Sequence, residues 1–171
     1  DGLSNISGTP HVFGTNESGE DVLQNFTANV PADAPVPQFL TIVLQWEDND
    51  PTSTFKNTKT DMDIYLITEG GGIIGYNTVN IGQKAVEVLP IFLTETTNAD
   101  IVVAKASDND VEVRFKYVVF KGLVDINEYE AGEATIVGHA NSVGAMTVGA
   151  IRYDNTPAYG GEFQIMSFSS I

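Results

Sequence analysis

The chain contains no cysteine in its 171 residues. Disulfide bonds, thiolate nucleophiles and cysteine-ligated zinc sites are therefore excluded, although the cellular compartment stays open. Histidine is almost as scarce, with only His11 and His139. A triad needs a nucleophile, an imidazole base and an orienting group within hydrogen-bond reach, and no G-x-S-x-G elbow exposes a serine here. We therefore expect both histidines to be structural and no catalytic residue in this chain.

Basic side chains are also few. Lys and Arg number 8 against 23 Asp and Glu, which gives a formal net charge of −15. Nucleic acids and anionic membrane surfaces both require clustered positive charge, so neither is an expected partner. Apolar runs stay well below the roughly 20 residues of a membrane helix. Such acidity suits a secreted protein or one that collects Ca²⁺, and an ordinary solvated acidic surface is the simpler explanation.

What is present is the period-two alternation of β-strands. In residues 39–46, Leu40, Ile42, Leu44 and Trp46 share one face, because successive strand side chains point to opposite sides. Residues 61–67 alternate in the same way, and a polar, charged loop joins the two segments. This pair predicts two antiparallel strands at the start of a sandwich core.

Further segments with strand character are spaced along the first 122 residues. They are residues 22–28, 73–76, 85–89, 99–105 and 111–120, with a short one at residues 11–13. Pro90 is expected to end the segment at residues 85–89. Because helical periodicity is nearly absent, the pattern predicts an all-β fold, an antiparallel, jelly-roll-like β-sandwich over residues 1–122.

The remaining residues, 123–171, differ from the first 122 in composition and in the pattern of their apolar side chains. Residues 123–134 are acidic and weakly patterned, as in a connector. Residues 135–151 are rich in Gly and Ala, and their apolar side chains run together instead of alternating. A strand buried on both faces of a parallel sheet has this composition. We interpret this tail as a fragment of another domain's core.

The tail resembles the subtilisin-like serine peptidases (subtilases). The matching phrases are Val148-Gly149-Ala150, within a small-residue segment, and Ser167-Phe168-Ser169-Ser170, in the order that leads to the family's serine motif. The front of the chain is similar to the jelly-roll insert, related to pre-peptidase C-terminal domains, that some large bacterial subtilases carry. Its matching phrases are residues 21–26, 44–48 and 61–66.

The resemblance implies a non-catalytic accessory region of a secreted or cell-surface bacterial serine endopeptidase, acting on substrate access, substrate binding or stability. Its partners would be the rest of the parent peptidase domain and a protein or polysaccharide substrate. None of the family's catalytic motifs is present, and His139 is not the family's base, because that base precedes the insert. The alternative is an independent carbohydrate- or calcium-binding adhesion module.

Two sets of residues are candidates for binding. Asp48 and Asp50 in the polar loop, with Asp61 and Asp63 on one strand face, supply the hard oxygens that Ca²⁺ prefers. Calcium is the only cofactor the residues suggest, and a solvated acidic loop is the alternative. The aromatic residues that could stack on a sugar are Trp46, Tyr65, Phe115 and Tyr117, although strand-spaced aromatics more often pack in a core. A pair of catalytic carboxylates, as in glycosidases, is not indicated.

Overall fold

The computed structural model describes residues 2–48, 57–129, 154 and 156–161. The chain divides into two compact units, Asp1–Tyr129 and Glu130–Ile171. The boundary therefore falls later than the predicted one after Gly122. Residues that were expected to be a connector contribute the last strand of the first unit, because Leu123 to Ile126 pair with residues 26–29.

The first unit is built from strands and short turns, after an initial 3₁₀ turn at Gly2–Asn5. The strands are β1 (Thr9–Pro10), β2 (Gly14–Asn16), β3 (Gly19–Asp21), β4 (Gln24–Asn29), β5 (Gln38–Asp48), β6 (Met62–Thr68), β7 (Ile73–Tyr76), β8 (Val86–Leu93), β9 (Thr97–Lys105), β10 (Val113–Lys121) and β11 (Leu123–Ile126).

The strands form two main antiparallel sheets. The larger sheet has the order β11-β4-β9-β6-β7, with β1 added beside β9, and the smaller has the order β10-β5-β8. Strands β2 and β3 form a separate two-stranded hairpin. Sequence neighbours such as β4 and β5 lie in different sheets, as in Greek-key and jelly-roll sandwiches. The predicted all-β, antiparallel fold is confirmed.

The core lies between the two sheets, and the alternating residues point into it. Leu40, Ile42 and Leu44 of β5 are at most 1% exposed, and Trp46 is 7% exposed. The opposing sheet contributes Phe26, Ala28, Met62, Ile64, Leu66, Ala99, Ile101 and Val103. On β10, Val113, Phe115, Tyr117 and Val119 pack against this cluster, as their spacing predicts. The period-two alternation in the sequence therefore identified the core-facing side of β5 and of β10 correctly.

A second, smaller apolar cluster covers the other face of the larger sheet. Tyr65, Val102 and Ala104 form its buried centre. The partly buried side chains packed against them are Ile6, Leu23, Ile67 and Ile73. Residues near the N-terminus, which we expected to be an irregular lead-in, thus help to cover this face. Strand β6 is consequently buried on both sides over most of its length.

Two local predictions were wrong. Strand β8 continues through Pro90, which pairs with Thr41 of β5. Because β8 is an edge strand with β5 on one side, the missing proline N–H is tolerated there. Residues 11–13 are not a strand; the short strands near the N-terminus are β1, β2 and β3.

In the second unit the structure describes a 3₁₀ turn at Pro157–Tyr159, followed by Gly160 in the left-handed conformation at φ 78°. The predicted buried strand at residues 135–151 and the Ser167–Ser170 phrase lie outside the described residues. Within the described part of the chain, no helix combines the length and apolar character needed to cross a membrane.

Candidate functional site

A cluster of buried polar side chains lies where β6 begins, beside the loop from β7 to β8 and the first residues of β8. Its members are Thr60, Asp61, Asp63, Asn80 and Glu87, each 9% exposed or less. Acidic residues are rarely buried so completely unless they are paired or bind a metal ion. This cluster is the strongest candidate site in the described part of the chain.

Strand geometry places Asp63 beneath the N-terminal cover of the larger sheet. Asp63 pairs with Ala104 of β9, and Tyr65 pairs with Val102, so both β6 side chains lie on the face opposite the main core. The Tyr65 hydroxyl donates a 3.0 Å hydrogen bond to Oδ2 of Asp63. One carboxylate oxygen is therefore satisfied by a neutral donor.

Glu87 reaches the cluster from the smaller sheet. It pairs with Leu44 and alternates with Leu89 and Ile91, so it occupies a core-facing position of β8. The Thr78 hydroxyl donates a 3.0 Å hydrogen bond to Oε2 of Glu87. This donor is neutral too, and it comes from the loop that connects the two sheets.

The β7–β8 loop is held in place by Asn80. The backbone N–H of Asn80 donates a 2.8 Å hydrogen bond to Oδ1 of Asp61. Its side-chain Nδ2 donates to the carbonyl oxygens of Lys84 and Val86 at 3.4 and 3.3 Å. Asn80 is thereby fixed with its amide nitrogen turned toward β8, and Asp61 acts as the anchor of the loop.

The electrostatics of the cluster reflect buried like charges. The pKa of Asp63 is raised to about 6, chiefly by burial and also by the negative charges of Asp61 and Glu87, while the Tyr65 hydrogen bond opposes the shift. The pKa of Glu87 is raised mainly by burial, opposed by hydrogen bonds from Thr78 and Asn80. Burial and the bond to Asp63 raise the pKa of Tyr65 to about 12. The three carboxyl groups are therefore close enough to repel one another.

Four buried oxygens in this cluster have no hydrogen-bond partner. They are Thr60 Oγ1, Asp63 Oδ1, Asn80 Oδ1 and Glu87 Oε1. An unsatisfied buried polar atom costs about 1–3 kcal/mol, and more when it is charged. Buried polar atoms of this kind are usually satisfied by ordered water or a bound ion.

The structure assembles only part of the metal site predicted from the sequence. Asp61 and Asp63 lie together, whereas the Asp48 carboxylate accepts hydrogen bonds from the Thr58 hydroxyl at 2.9–3.0 Å and from the Lys59 backbone N–H. Asp50 lies outside the described residues. Within the described ranges no three His, Asp or Glu side chains are arranged to hold a metal ion.

Glu87 and Asn80 were missed by the sequence analysis. Glu87 had a detectable signal, since it shares a strand face with Leu89, and an acidic residue on a core-facing position is unusual. Asn80 had none, because its place depends on the path of the loop between the two sheets.

His11 is not placed as a catalytic base. Its exposed ring makes edge contacts with Phe13 and Phe115, at centroid distances of 4.9 and 4.8 Å. Partial burial lowers the pKa of His11. His139 lies outside the described residues.

The aromatic residues considered as a possible sugar platform pack in the apolar clusters instead, as is more usual for aromatics at strand spacing. Trp46 and Tyr65 are 7% and 4% exposed, and they lie in the two different apolar clusters. The Trp46 indole instead donates a 3.0 Å hydrogen bond to Thr58 Oγ1. The aromatic pair on the outer face of the smaller sheet is Phe39 and Phe92, 4.7 Å apart, with the Lys121 ammonium 4.8 Å above Phe39.

The chain was compared with protein families, curated proteins and solved structures. No family model, no curated protein and no solved structure matches it.

Proposed function

We propose that this chain is a non-catalytic accessory region of a secreted bacterial subtilisin-like serine endopeptidase. Residues 1–129 are the accessory β-sandwich, and the following residues belong to the peptidase domain. The sandwich modulates the parent enzyme by changing how substrate reaches or binds it, or by stabilising it.

The observation that carries this proposal is the agreement between two divisions of the chain. The insert-like phrases, residues 21–26, 44–48 and 61–66, all fall within the first compact unit. The subtilase-like phrases, residues 148–150 and 167–170, both fall within the second. An insertion into a peptidase would have this order, because a complete sandwich would interrupt the host sequence at one point.

The outer face of the smaller sheet supports a binding role. Phe39, Val88 and Phe92 are 44%, 41% and 62% exposed on adjacent strands. Apolar side chains grouped on a sheet surface are typical of contacts with another protein. In the proposed parent enzyme this face would contact substrate or the peptidase domain.

The decisive experiment uses the gene that encodes this chain. The proposal predicts the peptidase aspartate and His-Gly-Thr motifs upstream and the Gly-Thr-Ser motif downstream. The encoded enzyme should be compared with a variant in which residues 2–129 are replaced by a short Gly-Ser linker. We expect kcat/KM for a folded protein substrate to change at least about threefold, or the melting temperature to fall.

A short fluorogenic peptide is the matched control, because it reaches an active site without help from an accessory surface. The isolated 171-residue chain should hydrolyse neither casein nor the peptide, since it lacks the triad. Hydrolysis by this chain that a serine-directed inhibitor abolishes, or a gene without peptidase motifs, would refute the proposal.

A further inference from the structure

We infer that the outer face of the smaller sheet binds an acidic segment of another protein, through basic side chains on β10 and apolar side chains on β5 and β8. The outer face is the side of these three strands that points away from the core. The inference rests on the proposed function for the view that this face meets another protein, and it adds the chemical class of that partner.

Basic residues are concentrated on this face. Alternate residues of β10 pack on the core, so Arg114 and Lys116 point outward. Lys121 also points outward, because after a register shift it pairs with Thr41, a residue on the outer side of β5. The face thus carries three of the eight Lys and Arg residues of a chain whose net charge is −15. Glu47, opposite Arg114, is the one acidic residue at an outward position of these three strands, which lie wholly within the described residues.

The apolar part of the face lies beside the basic part. The outward residues of β8 are all uncharged, and two of them, Val88 and Phe92, are exposed. Phe39 of β5 is also exposed and pairs with Phe92. The Lys121 ammonium lies 4.8 Å from the centre of the Phe39 ring, so positive charge borders the apolar area directly. A partner that matches both parts carries acidic and apolar side chains together.

The geometry of the two rings favours a protein segment over a carbohydrate. The Phe39 and Phe92 rings are inclined at 55°, with their centroids 4.7 Å apart. They therefore offer no flat platform on which a sugar ring could stack. Phenylalanine also lacks the polar N–H or O–H of Trp and Tyr, with which a sugar hydroxyl could form a hydrogen bond. An apolar side chain suits the angle between the rings.

The size of the face favours a short segment over a second copy of the chain. Three strands about 4.8 Å apart, each about eight residues long, cover roughly 400 Å². A stable interface buries about 800 Å² on each partner, so this face is too small to hold two copies together. Two copies joined through this face would also bring Arg114, Lys116 and Lys121 of one near the same residues of the other, and like charges repel.

The test uses the whole 171-residue chain and a fluorescein-labelled peptide. In the peptide two Leu and then two Glu stand at every second position, with Ser between them, because alternate side chains of an extended segment share one side. Fluorescence anisotropy measures binding at low salt and at about 0.15 M salt, and we expect weaker binding at the higher salt. The same peptide with Gln in place of Glu should bind about tenfold more weakly.

Variants of exposed residues locate the binding face. Arg114→Gln and Lys121→Gln should each weaken peptide binding about threefold, since each removes one exposed charge. Phe92→Ser should weaken it about fivefold or more through loss of apolar contact. Lys59→Gln and Ile81→Ser change an exposed basic and an exposed apolar residue outside the three strands, so both controls should bind like the unaltered chain. Circular dichroism checks that every variant is folded.

Binding of the Leu/Glu peptide that falls in all three face variants and in neither control supports the inference. It is overturned if the peptide does not bind up to about 1 mM, the weak end of specific binding. Equal affinity for the Gln peptide, or binding that survives in the three face variants, would also overturn it.

Two further measurements identify other occupants of the face. Binding of polygalacturonate in place of the peptide would make it a polysaccharide site. A dimer in analytical ultracentrifugation that Phe92→Ser abolishes would assign the face to a second copy. Either result overturns the inference. These measurements involve no peptidase, so their failure is distinct from failure of the linker replacement that tests the accessory role.

Discussion

The ring of Tyr129 lies so close to the α-carbon of Gly14 that a β-carbon at position 14 would collide with it. The Tyr129 hydroxyl also donates a 2.9 Å hydrogen bond to Oδ2 of Asp21. Tyr129, the last residue of the first unit, therefore packs on the β2–β3 hairpin, which lies near the N-terminal end of the same unit. This contact joins two segments of the first unit that are 108 residues apart in sequence.

Truncation tests how much of the C-terminal region the sandwich needs. A chain ending at Tyr129 should stay folded, whereas one ending at Gly122 should lose about 3 kcal/mol or more. The shorter chain lacks β11, whose Val124 and Ile126 pack on the core. It also lacks the Glu128 and Tyr129 carbonyls, to which the Gln24 amide donates at 3.2 Å. Urea unfolding of the two chains measures the difference.

The chain ending at Tyr129 is the control for any effect of removing the second unit. Equal stability of the two truncated chains would show that β11 is dispensable. The boundary after Gly122 predicted from the sequence would then be the better one.

A buried hydrogen bond joins β5 to the segment before β6. Thr58 Oγ1 accepts from the Trp46 indole at 3.0 Å, and the Thr58 hydroxyl also contacts Asp48. The isosteric change Thr58→Val should destabilise the fold by about 1–3 kcal/mol, because the indole N–H and the Asp48 carboxylate each lose a partner. Chemical denaturation followed by circular dichroism gives the free energy of unfolding.

The double-mutant cycle with Trp46→Phe provides the control. Once the indole N–H is absent, Thr58→Val should cost less than it does alone. Strictly additive effects would mean that the Trp46–Thr58 bond contributes nothing to stability.

The stability of the fold should depend on the ionisation of Asp63. Its pKa is about 6 in the fold, raised by burial, against an ordinary value near 3.8. The folded state therefore holds the proton more tightly. This stabilising contribution is complete below about pH 4 and is lost as the pH rises through about 6. Glu87 has the same direction of shift, so it should add to the same slope.

The measurement is urea unfolding in EDTA between pH 4 and 7.5, with Asp63→Asn as the comparison. The variant resembles the protonated side chain, so at pH 7.5 it should be more stable than the unaltered chain by about 1–3 kcal/mol. An identical pH slope in both proteins would show that Asp63 is not the titrating group.

Neighbouring residues of β8 give a direct test of the sheet orientation. Leu89 is 1% exposed and Val88 is 41% exposed. Leu89→Ala should cost about 2–5 kcal/mol through loss of burial and the cavity left behind. Val88→Ala should cost less than about 1 kcal/mol, because its side chain faces solvent. Thermal melting measures the stability of the two variants. Similar losses of stability would mean that β8 is placed in the wrong register.

The sequence by itself determined the fold class and most of the inward-facing residues. Leu40, Ile42 and Leu44 alternate along one strand, and this local period is a direct consequence of strand geometry. The same reasoning identified the buried face of β10. It could also place Asp61 and Asp63 on one face, because side chains two apart on a strand share a side.

Only the tertiary structure decided which strands are neighbours and which polar groups meet. Pro90 is acceptable because β8 lies at a sheet edge, and β11 belongs to the sandwich because it pairs with β4, almost a hundred residues earlier. Asn80 meets Asp61 because the loop between the two sheets passes beside the start of β6. These relationships depend on pairing between distant segments, and the alternation within one strand carries no information about its partner.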